Sequence, residues 1–490
     1  METAGSSSSS SHGALPKTII TLLGERLLST LLDLFTFSIF LLVFSAEAFF
    51  FISPKWRNPI FHFLIIIVFV MFFFLKSHFS KPPPIYLVDF SCLKPPYFCR
   101  VPFSTFIEHV RLFDFLDEDS SSFMSNILAS SGQGERTSLP PALHYIPPVS
   151  HHHEAIKEAQ MVLFPVFQDL LAKTKLSARD IDILILNCTG FCPVPSLSAM
   201  IVNEFSMRDD LKSFNISGMG CSASALAVHM AENLLKVHHN SYAVILSTEI
   251  LSTGWYAGKE RPMLVLNCLF RMGSAAILVT NKKEAKRSSK YKLLKTLRSQ
   301  RAFDDKAYNS AFREEDSNGI TGVALRKDLL QVAGEILRSN IAALGSSILP
   351  PSEIILHVVS MFWKRFINKN VQIYMPDFRS AVQHFCLPAS GRQVIREIGK
   401  GLKLGEREME ATMATLHRFG NQSSSSLWYE LAYMEAKERV KKGDRVWQLG
   451  MGSGPKCTSL VWECVRPISE EAHKGPWDGT INMYPNLVNC

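Results

Sequence analysis

Two long apolar segments near the start of the chain restrict most strongly what this sequence can form. Leu34–Ile52 is nineteen residues long, which as a helix would span about 28 Å and match the core of a bilayer. Ile60–Leu75 is shorter, and the intervening residues include Pro54 and Pro59, which suit a tight turn. The pattern predicts a transmembrane helical hairpin rather than a cleaved signal peptide, because the first run begins late and a second span follows it.

The hairpin divides the chain into segments of different composition. A serine run, Ser6–Ser11, predicts a disordered head over residues 1–27, and the two transmembrane helices fall within 28–77. The remainder of this 490-residue chain is long enough for one large or two medium domains. Its ten cysteines are scattered through apolar runs, unlike those of a small disulfide scaffold, so we expect them to be reduced.

Positive charge is the second compositional feature. The formal net charge is +8, which fits an anionic ligand or a membrane surface and does not choose between them. Residues 281–301, NKKEAKRSSKYKLLKTLRSQR, form a basic stretch near the middle of the chain. We interpret it as a solvated connection; the alternative is a stretch that faces lipid or phosphate.

The soluble part alternates between strand-like and helical patterns. The strand-like runs are IDILILN, YAVILSTEI, AAILVTN and DRVWQLGMG. Between them lie helical patterns such as HEAIKEAQMVLFPVFQDLLAKTK and KDLLQVAGEILRSNIAAL. This alternation predicts an α/β fold with a largely parallel sheet.

Two similar stretches indicate two similar halves that share one site. GMGCSASALAVHMAENLL places Cys221 after a glycine and before a helix, and RFGNQSSSSLWYELAYMEA places Asn421 likewise. A thiol at the start of a helix is favoured as thiolate by the helix dipole and free amides, as a nucleophile requires. The alternative is that Cys221 is an inert buried side chain, and the signature of papain-type proteases is absent.

Other motifs give weaker signals. LGMGSG, which contains Gly450, Gly452 and Gly454, resembles a phosphate loop but lacks its GK[ST] ending, so a backbone wall against a bound acyl group fits better. The Cys188/Cys192 pair lacks the CxxC spacing of a zinc site, and the histidines at 151–153 open a helix in polar surroundings, which disfavours a metal-ligand role for both. We therefore expect no metal and no cofactor.

Several of these stretches together resemble plant 3-ketoacyl-CoA synthases, the condensing enzymes of very-long-chain fatty acid elongation, in the type III polyketide synthase-like group. The motifs that carry the resemblance are DILILNC, PVPSLSAMIVNEF, KSFNISGMGCSAS, LNCLFRMGSAAILVTN, HRFGNQSSSSLWYELAYMEAK and GDRVWQLGMGSGPKC. The resemblance implies a thiolase-type αβαβα fold of two halves, which we place at residues 84–285 and 286–470 with a tail at 471–490. Chalcone synthases share the thiol and the glycine loop but not the apolar hairpin, which disfavours a soluble polyketide-type synthase.

The resemblance also implies the catalytic residues. Cys221 matches the family's acyl-accepting nucleophile, and Asn421 the asparagine that donates to the malonyl thioester oxygen. The family's second donor is a histidine in HFCxH, whereas this chain reads HFCLPASGR, so His384 is kept and Pro388 stands in place of the donor. His417 is the better substitute by position, and Gln300 replaces a further histidine of the family pattern.

From the resemblance we expect decarboxylative condensation of a long-chain acyl-CoA with malonyl-CoA to 3-ketoacyl-CoA, CO₂ and CoA. The alternative is a catalytically impaired relative that regulates or scaffolds other elongase subunits, which Pro388 and Gln300 favour. The expected location is the endoplasmic reticulum membrane, with the catalytic domain in the cytosol. The expected partners are the two CoA thioesters and a second subunit, either another copy or the elongase reductase, dehydratase or enoyl reductase; no nucleic acid is expected.

Overall fold

The computed structural model describes residues 83–368 and 372–484, together with four isolated positions among the first 82 residues. Contacts divide the chain into two units, at residues 1–82 and 83–490. The serine-rich head and the hairpin predicted over Leu34–Leu75 lie outside the described residues, those four positions apart. In the part that is described, no helix is both long and apolar enough to cross a membrane.

Strands form the framework of the second unit. The described residues contain eleven of them, each bounded as follows: β1 (Tyr86–Cys92), β2 (Ile183–Asn187), β3 (Lys212–Ile216), β4 (Tyr242–Thr248), β5 (Ser274–Thr280), β6 (Tyr291–Gln300), β7 (Ala311–Glu315), β8 (Thr321–Leu325), β9 (His384–Cys386), β10 (Arg445–Gly452) and β11 (Lys456–Cys464).

Helices connect and cover these strands. Over the same described ranges there are twelve α-helices: α1 (Phe103–Arg111), α2 (Glu118–Ser131), α3 (His152–Thr174), α4 (Leu197–Glu204), α5 (Ala223–Val237), α6 (Arg261–Leu269), α7 (Asp305–Tyr308), α8 (Leu329–Ile348), α9 (Pro351–Phe366), α10 (Arg392–Gly401), α11 (Glu406–Phe419) and α12 (Ser426–Ala436).

Nine of the strands form one sheet in the order β3-β2-β4-β5-β1-β6-β11-β10-β9, and β7 and β8 form a separate hairpin. The sheet consists of two parts with the same pairing scheme. In the first, β2 is parallel to β4, and β4-β5-β1 is antiparallel throughout. In the second, β9 is parallel to β10, and β10-β11-β6 is antiparallel throughout. The two parts meet where Tyr86 and Leu87 of β1 pair with β6.

The prediction of a largely parallel sheet is therefore wrong. Only the pairs β2–β3, β2–β4 and β9–β10 are parallel among the described strands. The physical reason is visible at β10 and β11, where Gly452 pairs with Lys456 across a tight turn and the chain returns beside the strand it has just left.

Two buried helices separate the two parts of the sheet. α5 contacts β2 and β4 on one side and β10 and β11 on the other, and α12 contacts β1, β9 and β10. Their apolar residues form the central core, which includes Ala227 and Val228 of α5 and Trp428 and Leu431 of α12. Two further cores lie on the outer faces, one beneath α3 and α6 and one beneath α8 and α10. The result is five layers, with helices outside and between the sheets.

The basic stretch at 281–301 is mainly a strand, so its interpretation as a solvated connection is wrong for Tyr291–Gln300. These residues are β6, which pairs with β1 and β11 in the middle of the sheet. Immediately before β6, Lys290 is only 2% exposed. Its ammonium lies 2.8 Å from Asp89 and 2.9 Å from Glu435, and the charge is thereby compensated inside the protein.

Candidate active site

The carboxyl ends of the strands in both halves open onto one cavity of about 380 Å³. Its lining is mostly apolar and comes from α6, α8, the β7–β8 hairpin and the loop after β4. Cys221 and Asn421 both line it, so the structure brings together the two residues that the sequence pairs as matching positions. A deep apolar cavity with few polar groups suits a ligand that has a long hydrocarbon part.

Cys221 lies in a 3-10 turn, Gly220–Ser222, which runs directly into α5. Gly220 has a φ of +60°, and a Cβ at this position would lie 2.5 Å from the backbone nitrogen of Ser453. The turn therefore requires glycine, both for its left-handed conformation and for the close approach of the neighbouring chain. This arrangement holds the Cys221 sulfur at the cavity wall.

The glycines of the LGMGSG stretch bring β10 against that turn. A Cβ on Gly452 would lie 2.2 Å from the carbonyl oxygen of Met219, and one on Gly450 would lie 3.2 Å from the Cα of Ser222. Gly452 lines the large cavity, and Gly450 lines a small pocket beside it. Gly454 lies in the turn after β10, with a φ of +59°, and is in neither lining. Gly450 and Gly452 thus place the backbone next to the nucleophile turn.

The thiol of Cys221 is protonated at neutral pH in this structure. Burial raises its pKa to about 11, the hydrogen bond from Ser423 opposes this effect, and the nearby carboxylate of Glu249 adds to it. No histidine, lysine or arginine is among the groups that lower this pKa. The backbone amide of Cys221 at the helix start lowers the pKa, as expected, but desolvation by burial outweighs this effect.

Asn421 is held with its amide NH₂ available. Its side-chain oxygen accepts a hydrogen bond from the backbone nitrogen of Ser423 at 2.8 Å, which fixes the orientation of the amide. Its backbone oxygen accepts from the nitrogen of Arg271 at 2.9 Å. Among the described residues the side-chain nitrogen has no hydrogen-bond partner, and the residue lines both the cavity and the small pocket. Asn421 can therefore donate to a ligand oxygen.

Pro388 lies beside these two residues. It lines the small pocket together with Cys221, Asn421 and Ser423, in a space of about 10 Å³ that fits one water molecule. The segment is fixed in place because the nitrogen of Leu387 donates to the buried carboxylate of Glu430 at 2.8 Å. The position at which the sequence resemblance expects a histidine donor is thus at the site, and it holds a side chain that cannot donate.

The structure does not bring the remaining histidines to the cavity. His384 lies on β9, and its Nε2 is 2.9 Å from Oδ2 of Asp444. His417 lies at the end of α11, where its Nδ1 is 2.9 Å from the hydroxyl of Tyr484. Neither residue lines the cavity or the small pocket. Gln300 ends β6 on the exposed surface, where it accepts a hydrogen bond from Arg298.

Two further residues at the site are missed by sequence reasoning. Glu249 follows β4 and lines the cavity. Its carboxylate accepts from the nitrogen of Gly190 at 2.8 Å and from the hydroxyl of Ser423 at 3.2 Å. Burial raises the pKa of Glu249, and the amide of Gly190 partly offsets this. The one sequence signal was an acidic residue directly after an apolar strand, in VILSTEI.

Ser423 connects Glu249 with the nucleophile. Its hydroxyl lies 3.5 Å from the sulfur of Cys221 and 3.2 Å from Oε2 of Glu249. A hydroxyl has one proton, and a charged carboxylate is the stronger acceptor. The Ser423 hydroxyl is within donating distance of both the Cys221 sulfur and the Glu249 carboxylate, and it connects the two groups.

Comparison with known sequences identifies the group to which this arrangement belongs. A profile described as FAE1/Type III polyketide synthase-like protein matches residues 77–366. A second profile, described as the C-terminal part of 3-oxoacyl-(acyl-carrier-protein) synthase III, matches residues 379–464. The chain belongs to the FAE1/type III polyketide synthase-like family.

Individual members of the FAE1/type III polyketide synthase-like family match over most of their length. 3-Ketoacyl-CoA synthase 5 of Arabidopsis thaliana is 51% identical to this chain, and the match covers 87% of this chain and 85% of that protein. 3-Ketoacyl-CoA synthase 6 of the same plant is 50% identical, over 86% of this chain and 84% of that protein. The predicted resemblance to plant 3-ketoacyl-CoA synthases is therefore confirmed.

Solved structures agree with the fold expected for this family. A fungal type III polyketide synthase, ORAS, matches with a TM-score of 0.61 at 16% identity, over 78% of this chain and 99% of that structure. A type III pentaketide synthase from Neurospora crassa matches with a TM-score of 0.59 at 14% identity, over 78% and 99% respectively. At this identity the likeness concerns the fold alone, and it confirms the predicted thiolase-type α/β fold.

Proposed function

We propose that this chain is a 3-ketoacyl-CoA synthase, an acyltransferase that condenses a long-chain acyl-CoA with malonyl-CoA in very-long-chain fatty acid elongation. The observation that carries the proposal is the pair of Cys221 and Asn421 at one apolar cavity, in a chain 51% identical to 3-ketoacyl-CoA synthase 5. A nucleophile and an amide donor at the same cavity wall are the groups that such a reaction requires.

The first step transfers the acyl group to the enzyme. The Cys221 sulfur attacks the thioester carbon of acyl-CoA. A bond forms between the Cys221 sulfur and this carbon, and the bond from the same carbon to the CoA sulfur breaks. Because the thiol is protonated, its proton must leave during the attack. Ser423 lies within reach of the sulfur and Glu249 within reach of Ser423, so they take the proton and return it to the departing CoA thiolate.

The second step forms the carbon–carbon bond. Malonyl-CoA loses its carboxylate as CO₂, and the electron pair passes to the thioester as an enolate. The free amide of Asn421 donates to the enolate oxygen. The enolate carbon then attacks the acyl carbon held by Cys221; the carbon–sulfur bond breaks, 3-ketoacyl-CoA leaves, and the Cys221 thiolate takes up a proton from water through Ser423.

The setting of the reaction is also part of the proposal. The apolar segments at Leu34–Ile52 and Ile60–Leu75 support attachment to a membrane, which we take to be that of the endoplasmic reticulum with the catalytic domain in the cytosol. Long-chain acyl-CoA and malonyl-CoA are the substrates. A second copy of the chain and the other elongase subunits, namely the reductase, dehydratase and enoyl reductase, are the proposed protein partners.

One observation favours a second candidate function. Pro388 lines the small pocket beside Cys221 and Asn421, and among the described residues no histidine lines either that pocket or the large cavity. Loss of one oxyanion donor typically costs about 10²–10³ in rate. A chain with this defect could serve as a regulatory or scaffolding subunit that binds acyl-CoA beside active elongase subunits.

Elongation measured directly separates these functions. The full chain is expressed in yeast microsomes, and malonyl-CoA-dependent elongation of labelled long-chain acyl-CoAs is followed above the host background. We expect elongation by the parent and none by Cys221→Ala. Cys192→Ala is the matched control, because that cysteine is exposed and lies outside the cavity lining. Elongation retained by Cys221→Ala would refute the assignment of Cys221 as the nucleophile. Absence of elongation by the parent would favour the regulatory function.

A further inference from the structure

Helix α9, Pro351–Phe366, has its polar side turned inward and its apolar side turned outward. None of its residues is buried. Nine apolar residues of the helix and the position after it are each at least 41% exposed. We call them the apolar face of α9: Ile355, Leu356, Val358, Val359, Met361, Phe362, Trp363, Phe366 and Ile367. Contiguous apolar surface of this kind is rare on a soluble monomer and marks a contact with something else.

Polar residues of α9 make its hydrogen bonds to the protein, and Ile354 packs beside them against the core beneath α8 and α10. Glu353, His357 and Ser360 lie at intervals of four and three positions, which places them on one side of the helix. The ring Nδ1 of His357 is 2.6 Å from the carbonyl oxygen of Tyr374, and the nitrogen of Tyr374 donates to the hydroxyl of Ser360 at 2.9 Å. These hydrogen bonds fix the rotation of α9 about its own axis, and the apolar face is therefore turned away from the protein.

Glu353 completes this inward contact. Its carboxylate accepts from the hydroxyl of Tyr374 at 2.9 Å and from the nitrogen of Asp377 at 2.8 Å. It is the only carboxylate of α9. The outward side therefore carries no negative charge of its own.

Aromatic and basic residues meet at the end of the apolar face. Phe362 and Phe366 pack with their ring centroids 4.6 Å apart, and Trp363 lies between them in the sequence. Arg365 belongs to the same last turn and is exposed, whereas Lys364 follows Ser360 by four positions and lies on the inward side. A helix that combines an apolar face with aromatic and basic residues is typical of segments that lie in the interface of a bilayer, where acyl chains and anionic headgroups are both within reach.

We infer that α9 lies on a lipid surface, with its apolar face among the acyl chains and with the exposed Arg365 at anionic headgroups. A second copy of α9 fits less well, because its only carboxylate is already used inward and cannot pair with Arg365. The inference rests on the proposed function in one respect, which is that the predicted hairpin attaches this domain to a membrane.

The connection to the cavity gives this contact a consequence. α9 begins after only two residues beyond the end of α8. The first half of α8 supplies Leu329, Ala333 and Ile336 to the cavity lining. A helix of this length spans about 30 Å, so the lipid surface lies within one helix length of the acyl cavity. The contact would therefore present the cavity to substrates that partition into the membrane.

Fluorescence quenching in lipid discs tests the lipid contact. The full chain, with Cys192, Cys221 and Cys490 replaced by alanine, carries a single Val359→Cys with an environment-sensitive dye, in discs of phosphatidylcholine and phosphatidylserine. The matched control is Val237→Cys, an exposed valine at the end of α5. We expect brominated acyl chains to quench the dye at 359 several-fold more than at 237, and aqueous iodide to do the reverse.

Each other outcome overturns the inference. Equal iodide quenching at both positions would mean that α9 faces water, and protection from both quenchers would mean that protein covers it. A disulfide formed between two chains through position 359, in the same variant before labelling, would identify the cover as a second copy. Circular dichroism of each labelled variant checks that it is folded. Because no acyl substrate is present, the result does not depend on whether the chain elongates acyl-CoA.

Discussion

The hydroxyl of Ser423 lies 3.5 Å from the sulfur of Cys221, although the two residues are 202 positions apart in the chain. Each comes from a turn that leads into one of the two helices between the sheets, α5 for Cys221 and α12 for Ser423. The same hydroxyl reaches Glu249, which follows β4. A site assembled in this way has a route for the thiol proton that does not require histidine.

Removal of the Ser423 hydroxyl should slow acylation of the enzyme. In Ser423→Ala we expect transfer of the acyl group to Cys221 to fall by about 10²-fold, because the thiol loses its proton acceptor. The rate in the variant should keep rising with pH, since thiolate then forms without help, and the thiol pKa should lie above the parent's value of about 11 because the hydrogen bond from Ser423 that lowers it is lost. Single-turnover transfer from labelled acyl-CoA measures both effects.

The control for this change is Ser390→Ala. Ser390 also lines the cavity, but among the described residues it makes no hydrogen bond to Cys221 or Glu249. Equal acylation in the two variants would show that the Ser423 hydroxyl does not take the proton.

Glu249 should set an acid limit to acylation. Burial raises its pKa, so as the pH falls the carboxylate takes up a proton at a higher pH than an ordinary glutamate and no longer accepts from Ser423. Acylation by the parent should therefore decrease on the acid side, above the usual pKa of about 4.3. Glu249→Gln should be slower than the parent and should lack this decrease.

A pH profile of single-turnover acylation gives the comparison, with Glu204→Gln as the control because that carboxylate is exposed at the end of α4. An unchanged acid limb in Glu249→Gln would assign the limb to another group.

Restoring an imidazole at position 388 should speed decarboxylation. Pro388 lines the pocket beside Asn421, so a histidine there can place a second donor near the enolate oxygen. We expect Pro388→His to raise the release of labelled CO₂ from malonyl-CoA by about 10²-fold. Acylation of Cys221, measured separately, should change much less. Pro388→Ala controls for loss of the proline ring, and a similar gain in that variant would exclude the imidazole as its cause.

Gly452 should be required for the position of Cys221. A Cβ there would lie 2.2 Å from the carbonyl oxygen of Met219 and 2.6 Å from the hydroxyl of Ser222, on either side of the nucleophile turn. Gly452→Ala should therefore displace the turn and abolish elongation while the protein remains folded. Gly401→Ala, where a Cβ meets nothing within 4 Å, should elongate as the parent does. Full activity in Gly452→Ala would show that the turn tolerates the displacement.

Lys290 should matter for stability and not for chemistry. Burial lowers its pKa, but Glu435, Asp89 and Glu471 outweigh this and hold the pKa above its usual value. Lys290→Met leaves these carboxylates without their cation, and we expect the free energy of unfolding to fall by about 3–5 kcal/mol. Urea denaturation of the purified chain tests this. Lys292→Met is the control, because Lys292 lies on β6 and is less buried than Lys290. Equal midpoints would mean that the carboxylates are neutralised by protonation.

The sequence alone determined the local features of this protein. Glycine-preceded small residues before a helix identified Cys221 and Asn421, and both line the cavity. The apolar runs identified β2, β4, β5 and β10, because buried strands are continuous in the sequence. The departure at Pro388 was also visible, and the residue lies at the site. Each of these features is determined by residues that are close together in the sequence.

Only the tertiary structure decided which distant groups meet. His384 and His417 lie outside the cavity lining, in contact with Asp444 and Tyr484 respectively. Glu249 and Ser423, in contrast, lie beside the thiol. Lys290 is buried among carboxylates from three separate segments. The physical reason is that the periodicity of apolar residues and the turn residues determine the local course of the backbone. Which residues far apart in the chain come into contact depends instead on how the layers pack, and on which buried charges must then be paired.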